Sequence, residues 1–432
     1  MRRKILLSSS GTMFAKIAQA GLGLVTALVL TRTFGIETFG IYSYAIAVAT
    51  LGAVFTRFGF HVYVVYAINA AIAENQQGRV ATILLTAFGL TAVLSAVLGM
   101  CIYSVSLLQP DWEMAVALRY SAVLLAAVAI LQVSAGAMQA FGRVVLGVSL
   151  EGIGKPVLFL SLLALYMALR GSDETGYREL LILYICSEVI LIAIVGVMLS
   201  FWTLREMGGV SFQRSQVRSI IIEARPFLMA NAMIQLYQQT GIFAMGVFFS
   251  ASSVALFRIA TQVASLIPFG LQALQAVMRP RIARMIKAGE HDQLQIQLTW
   301  TTRILLILQS PIIIITLFFA DQIISIFGAD YQESAKILVF LSIGQSFSII
   351  CGMNGDVLNM SGNANINARW SAIALIIMLI LVWPAVELFG YLGPAISLCI
   401  SRLLWNSALV LNAARYTGLH TTVFGRLNFL NL

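Results

Sequence analysis

Charge is what this sequence has least of. Only 10% of its 432 residues are Asp, Glu, Lys or Arg, while 59% are hydrophobic; a soluble globular protein carries about 25% charged residues. So little charge cannot cover so much apolar surface in water, which excludes a soluble enzyme and a soluble nucleic-acid factor. A disordered scaffold needs the reverse composition. Histidine is nearly absent, with three residues, which argues against a histidine metal site. The four cysteines, Cys101, Cys186, Cys351 and Cys399, lie far apart in or beside apolar runs. They read as small packing residues rather than ligands. Acids are fewer than bases, giving a net charge of +9. In a membrane protein such an excess gathers on cytoplasmic loops.

What is present is long apolar runs. A spanning helix takes about 20 mostly apolar residues. That ruler predicts about twelve spans, at approximately 11–31, 40–68, 80–108, 115–138, 143–169, 179–202, 222–249, 254–278, 299–320, 334–353, 368–388 and 392–414. The runs are continuous, whereas an outer-membrane barrel alternates apolar and polar residues. The expectation is an all-α polytopic membrane protein. Arg2, Arg3 and Lys4 precede an apolar stretch with no small-residue cleavage site after it, so the first segment reads as a span rather than a leader.

Basic residues set the orientation. Arg2, Arg3, Lys4, Arg79, Arg143, Arg205, Arg214, Arg218, Arg225, Arg279, Arg281, Arg284, Lys287, Arg369, Arg415 and Arg426 fall on one side. The opposite loops hold Arg32, Arg170, Arg178 and Lys336, with Glu37, Asp111, Glu113, Asp173, Glu174, Asp321, Asp330 and Glu333. Both termini are therefore expected in the cytoplasm, as an even number of spans also requires. The patch at 279–287 reads as a topology signal and an anionic-lipid contact, not as a nucleic-acid site.

The chain repeats itself. Residues 34–51, leading into the second span, resemble 249–266, leading into the eighth, at an offset of 215. A weaker echo relates Gln109-Pro-Asp-Trp112 to Gly328-Ala-Asp-Tyr331 at an offset of 219. Two six-helix halves, 1–214 and 215–432, are expected, related by a pseudo-two-fold along the membrane normal. Such symmetry suits a transporter whose lobes rock about a central cleft.

Polar residues inside spans point to that cleft or to helix contacts. By the helical period, Ser43, Thr50, Arg57 and His61 share one face of the second span, and Arg258, Gln262, Ser265 and Gln272 one face of the eighth. Asn231, Gln235 and Gln238 form a stripe on the seventh, and Lys16, Gln19 and Thr26 a broader arc on the first. Singly, such residues also serve as glue between helices, and Arg57, His61 and Arg258 can snorkel to an interface. The 27 basic residues include only five lysines. Arginine is the better bidentate partner for phosphate, in line with a phosphate-bearing anionic substrate. Among carboxylates, Glu151 and Lys155 have the spacing of a helical ion pair. Glu188 lies mid-span with no basic neighbour on its own helix, and Asp356 lies in the Asn/Gly-rich stretch 351–363. Glu188 and Asp356 are the candidates for coupling to a proton or sodium gradient. There is no Walker loop, HExxH or nucleophile elbow, and every outer loop is short. No enzyme, metal or cofactor is expected.

At Arg32-Thr-Phe-Gly-Ile-Glu-Thr-Phe-Gly-Ile-Tyr42 the sequence resembles bacterial polysaccharide exporters of the multidrug/oligosaccharidyl-lipid/polysaccharide superfamily. Further matches are Arg57-Phe-Gly59, Phe327-Gly-Ala-Asp-Tyr331 and Phe389-Gly-Tyr-Leu-Gly-Pro-Ala-Ile-Ser397, with Pro394 a departure where the family often has alanine. The resemblance implies a V-shaped pair of six-helix lobes whose first, second, seventh and eighth helices line the cleft. It implies a flippase that moves undecaprenyl-pyrophosphate-linked repeat units for surface polysaccharide such as O-antigen or exopolysaccharide, in the bacterial inner membrane. Partners would be the lipid-linked glycan, membrane lipids and further polysaccharide-assembly proteins, with no nucleic acid. The substrate cleft would then draw on Lys16, Arg32, Arg57, His61, Asn231, Gln235, Arg258 and Gln262. The alternative is a multidrug or toxin antiporter of the same superfamily, which should need an acidic cleft. A major-facilitator transporter is disfavoured, because Glu74-Asn-Gln-Gln-Gly-Arg79 does not fit that family's loop.

Overall fold

Inside a bilayer no water satisfies the backbone, so an apolar run must close its own hydrogen bonds, and a helix does so within one segment. A computed structural model of the chain describes residues 2–74, 76–109, 112–170, 176–207 and 213–425, without the side chains of 2–10, 12–13, 77, 202–207, 230 and 276. Regular structure among them is helical throughout. Of the charges that set the expected orientation, Asp111, Asp173, Glu174 and Arg426 lie outside the described residues, as do the side chains of Arg2, Arg3, Lys4 and Arg205.

The first half runs α1 (Arg2–Thr33), α2 (Ile36–Thr56), α3 (Phe60–Ala73), α4 (Gln77–Leu108), α5 (Ala115–Ala140), α6 (Val144–Ser149), a π turn at Leu150–Gly154, α7 (Lys155–Arg170) and α8 (Tyr177–Met207). After a turn at Arg214–Gln216 come α9 (Val217–Phe248), α10 (Ala251–Ala264), α11 (Phe269–Ala288), α12 (His291–Phe318) and α13 (Ala320–Ser325). Then follow α14 (Ser334–Cys351), α15 (Asn354–Met360), α16 (Ala364–Phe389) and α17 (Gly393–Thr417).

Helix starts repeat with the offsets seen in the sequence. Ile36 of α2 and Ala251 of α10 are 215 apart, as are Arg2 of α1 and Val217 of α9. Ala115 of α5 and Ser334 of α14 are 219 apart. Contacts nevertheless group α9 with the first half: Met1–Gly246 and Ser250–Ala255 form one unit, Val247–Phe249 and Leu256–Leu432 another. In the first, Phe60, Tyr63, Ile68, Ile83 and Leu131 are buried against Ile220 and Ala224 of α9. The second has its own core, with Ile267, Leu294, Leu298, Ile349, Val357 and Leu409 buried together.

Nine helices among the described residues are long and apolar enough to cross a membrane, ten with α10 and the start of α11 taken as one bent span. The difference from twelve has two sources. The stretch Ala364–Thr417 counts once at 54 residues. At 1.5 Å per residue a single rod of that length would measure about 80 Å, against a hydrocarbon core of about 30 Å. It is two helices, folded back at Gly390, where φ is +57°. The second is α9, absent from the apolar set although its 32 residues exceed the length of a span; it carries Arg218, Glu223 and Arg225.

Three spans expected to be continuous are interrupted. The second breaks at Arg57–Gly59, where Phe58 has φ +50° and Gly59 φ +79°. The eighth bends by 50° between α10 and α11, where Pro268 caps α11 and offers no amide hydrogen to continue a helix. The basic patch at 279–287 accordingly lies on α11 rather than in a loop. The fifth contains the π turn, a form that recurs at functional sites in helices.

Candidate functional site

The Arg57-Phe-Gly59 motif makes the break in the second span. Gly59 takes the left-handed conformation, and a Cβ there would stand 2.6 Å from the amide nitrogen of Leu228 on α9. Glycine thus permits both the turn and the close approach of α9. The break places Arg57 as the C-cap of α2 with only 4% of its surface exposed. Its Nη1 donates to the Gln132 side-chain oxygen on α5, while its Nε has no hydrogen-bond partner among the described residues. A buried guanidinium needs a counter-charge. Glu151, in the π turn, faces Gln132, Arg57 and Lys155.

Lys155, at the start of α7, points its ammonium at Glu188 of α8, forming an ion pair. The same ammonium stands 5.1 Å from the centre of the Tyr184 ring. Tyr184 packs edge-on against Tyr42 and Phe159 at 5.6 and 5.3 Å, closing an aromatic wall around the pair. The Glu151–Lys155 pairing expected from sequence is therefore not the direct one. The π turn changes the helical register between the two residues, and the lysine takes its ion-pair partner from α8. Glu188 is fully buried and has the cation its own helix lacks. His61, half-buried in the first turn of α3, faces Asn231 of α9, whose amide donates to the Phe227 carbonyl at 2.8 Å.

The first unit thus contains a run of alternating charge: Glu188, Lys155, Glu151, Gln132, Arg57, His61, Asn231. Two formal cations face two carboxylates, so the set is neutral overall. The run ties the broken second span to α5, α7, α8 and α9. Arg57, His61, Asn231 and Glu188 are brought together here. Gln235 follows one turn later on α9, half-buried. Lys16 and Arg32 are exposed on α1. Arg258 and Gln262 are half-buried on α10, in the second unit. Of the other polar positions on the second span, Ser43 is 1% exposed and its hydroxyl lacks a partner among the described residues.

Asp356 belongs to a separate cluster in the second unit. It lies on α15, between spans, and accepts from Arg279 Nε at 2.7 Å, leaving its other oxygen buried without a partner among the described residues. Burial pushes its carboxyl above the usual aspartate range, against the opposing pull of Arg279. Nearby, Asn354 donates to the Asn406 side-chain oxygen at 3.3 Å, and Asn406 to Ser348 at 3.1 Å. Sequence reasoning missed Gln132, a glutamine in a mostly apolar helix with no charge to mark it. Among the described residues no group of three or more His, Cys, Asp or Glu could hold a metal ion.

The family described as polysaccharide biosynthesis protein matches residues 6–286, and the MatE family matches 226–384. The probable low-salt glycan biosynthesis flippase Agl15 of Haloferax volcanii is 25% identical over 169 residues, 38% of this chain and 35% of that protein. The capsular polysaccharide biosynthesis protein CapF of Staphylococcus aureus is 27% identical over 135 residues, 30% of this chain and 33% of that protein. The alignments span about a third of the length of these curated relatives. Among solved structures, the lipid II flippase MurJ in an inward closed conformation superposes with a TM-score of 0.69 at 13% identity, covering 94% of this chain and 87% of that one. An inward-facing multidrug resistance MATE family transporter of the MOP superfamily gives 0.68 at 15% identity, covering 93% and 97%. At these identities the likeness is one of fold.

Proposed function

Because the chain belongs to the polysaccharide biosynthesis protein family, we propose that it is a flippase for a lipid-linked oligosaccharide. The substrate would be an undecaprenyl-pyrophosphate-linked repeat unit, carried from the cytoplasmic to the outer leaflet by alternating access. The repeat halves 1–214 and 215–432 would supply the two lobes, and both termini would lie in the cytoplasm of a bacterial inner membrane. The family match over residues 6–286 carries this reading. The charged residues within an otherwise apolar helical chain support it, since hydrocarbon tolerates such groups only where they serve a path or a partner.

In this reading the neutral network around Arg57 positions the broken second span. Lys16, Arg32 and Arg258 would meet the pyrophosphate. His61, Asn231, Gln235 and Gln262 offer hydrogen bonds to the head group. Glu188 and Asp356 are the candidate carboxylates for coupling to a proton or sodium gradient. Deleting the gene is expected to trap lipid-linked repeat units on the cytoplasmic face and remove the surface glycan. Unchanged surface glycan with no trapped intermediate would refute the proposal.

The MatE match over 226–384 favours a second reading, a multidrug antiporter. An antiporter of cationic drugs should offer unpaired acid to its substrate, whereas Glu188 and Asp356 are each already paired with a cation. Drug-sensitivity profiling of the deletion strain separates the two: heightened sensitivity with intact glycan selects the antiporter.

A further inference from the structure

We propose that one face at the start of α9 is a binding site for the phosphate head group of an anionic glycerophospholipid. Arg218 and Arg225 are seven apart on α9, which at 3.6 residues per turn puts them within about 20° of one another, and Arg214 lies in the turn that precedes the helix. With Val217, Ile221 and Ile222 they line a cavity of about 590 Å³. All three arginines are exposed.

Three cations elsewhere in the structure have carboxylate partners. Arg79 has Glu223, Lys155 has Glu188 and Arg279 has Asp356. Among the described residues no carboxylate forms an ion pair with Arg214, Arg218 or Arg225. The acid of this stretch, Glu223, lies on the far side of the helix. It accepts from the Tyr63 hydroxyl at 2.8 Å and faces Arg79 at 3.7 Å. Ile220 and Ala224, both fully buried, hold that side against α3 and α4. The basic face is thereby fixed in direction and left without internal neutralisation.

A phosphodiester supplies what is missing. Guanidinium forks take phosphate oxygens bidentately. Ile222, 47% exposed, and Ile221 offer apolar contact to the glycerol and the first acyl methylenes. The predicted topology puts this end of α9 at the membrane face that carries most of the basic residues, where anionic lipid attracts juxtamembrane cations.

The test uses the purified full-length protein in detergent, with phosphatidylglycerol as probe and retention read by native mass spectrometry. Replacing the three arginines together (R214Q/R218Q/R225Q) is expected to weaken retention by tenfold or more, at about fivefold per arginine. R214K/R218K/R225K, which keeps charge but loses the forks, should fall between, and serves if the glutamine variant is unstable. A control removing three exposed cations from the opposite loops, R170Q/R178Q/K336Q, should change retention less than about twofold. Equal retention in wild type and triple variant would overturn the proposal, as would equal loss in the control. Displacement by inorganic phosphate alone would show a free-anion site instead. Displacement by equimolar polyprenyl-pyrophosphate glycan would assign the site to the transported substrate and remove the resident lipid.

Discussion

Glu188 and Lys155 justify each other: either charge alone in this setting would be strongly unfavourable. Breaking a buried pair by removing one partner costs about 3–5 kcal/mol, while replacing both by apolar groups of similar volume is often neutral or stabilising. Glu188→Gln is therefore expected to lower the unfolding midpoint in detergent steeply, and Lys155→Met with Glu188→Leu to recover most of it. A Glu188→Gln protein that melts with wild type would show that the pair does not stabilise the first unit. Glu188 and Arg57 were legible in the sequence, because a charged letter in an apolar run stands out against its neighbours. Their partners were not. Gln132 carries no charge, and the pairing of Lys155 depends on a π turn that no residue spacing announces. Asp356 adds a pH dependence. Its carboxyl is raised in the folded state, so the folded protein binds that proton more tightly than the unfolded chain. Stability from this group is full below the ordinary aspartate value of about 4, and is lost as pH rises through the native value. Thermal melts of Asp356→Asn across that window should lack this decline; an unchanged slope would assign it to another group.

At the scale of elements, two glycines set how α2 and α3 meet their neighbours. A Cβ on Gly40 would lie 1.9 Å from the carbonyl oxygen of Ala251, so α2 and the first turn of α10 touch through bare backbone. Gly59→Ala would meet Leu228 and also force a left-handed alanine, the latter alone costing about 1–3 kcal/mol. Gly40→Ala overpacks by a similar amount or more. Gly89, on α4, has open space where its Cβ would be, and Gly89→Ala should leave the melting temperature unchanged or slightly raised. Loss of stability at all three positions alike would mean that close approach is not what selects glycine. Helices were legible as apolar runs, and the half-chain repeat as paired motifs, because hydropathy and small-residue spacing are written along the chain. The break at Phe58 was not, since it depends on the α9 backbone lying opposite Gly59, whereas the bend at Leu266–Pro268 follows a proline that the sequence displays. The inclusion of α9 in the first unit rests on Ile220 and Ala224 packing across a long sequence separation.

For the whole molecule, membership of the polysaccharide biosynthesis protein family and a fold shared with solved transporters support the proposed movement of a glycan across a bilayer. The class was readable from composition alone, as 59% hydrophobic residues leave no soluble alternative. The cargo was not, because head-group recognition needs only a few cations whose neighbours are set by tertiary packing. Transport is measured most directly with the purified full-length chain in proteoliposomes carrying a fluorescent polyprenyl-pyrophosphate oligosaccharide, scored by quencher access from outside. A flippase should move label between leaflets faster than protein-free vesicles, and Arg258→Ala should slow it with the protein equally abundant. Leaflet exchange no faster than in empty vesicles, with and without an imposed proton or sodium gradient, would contradict flippase function.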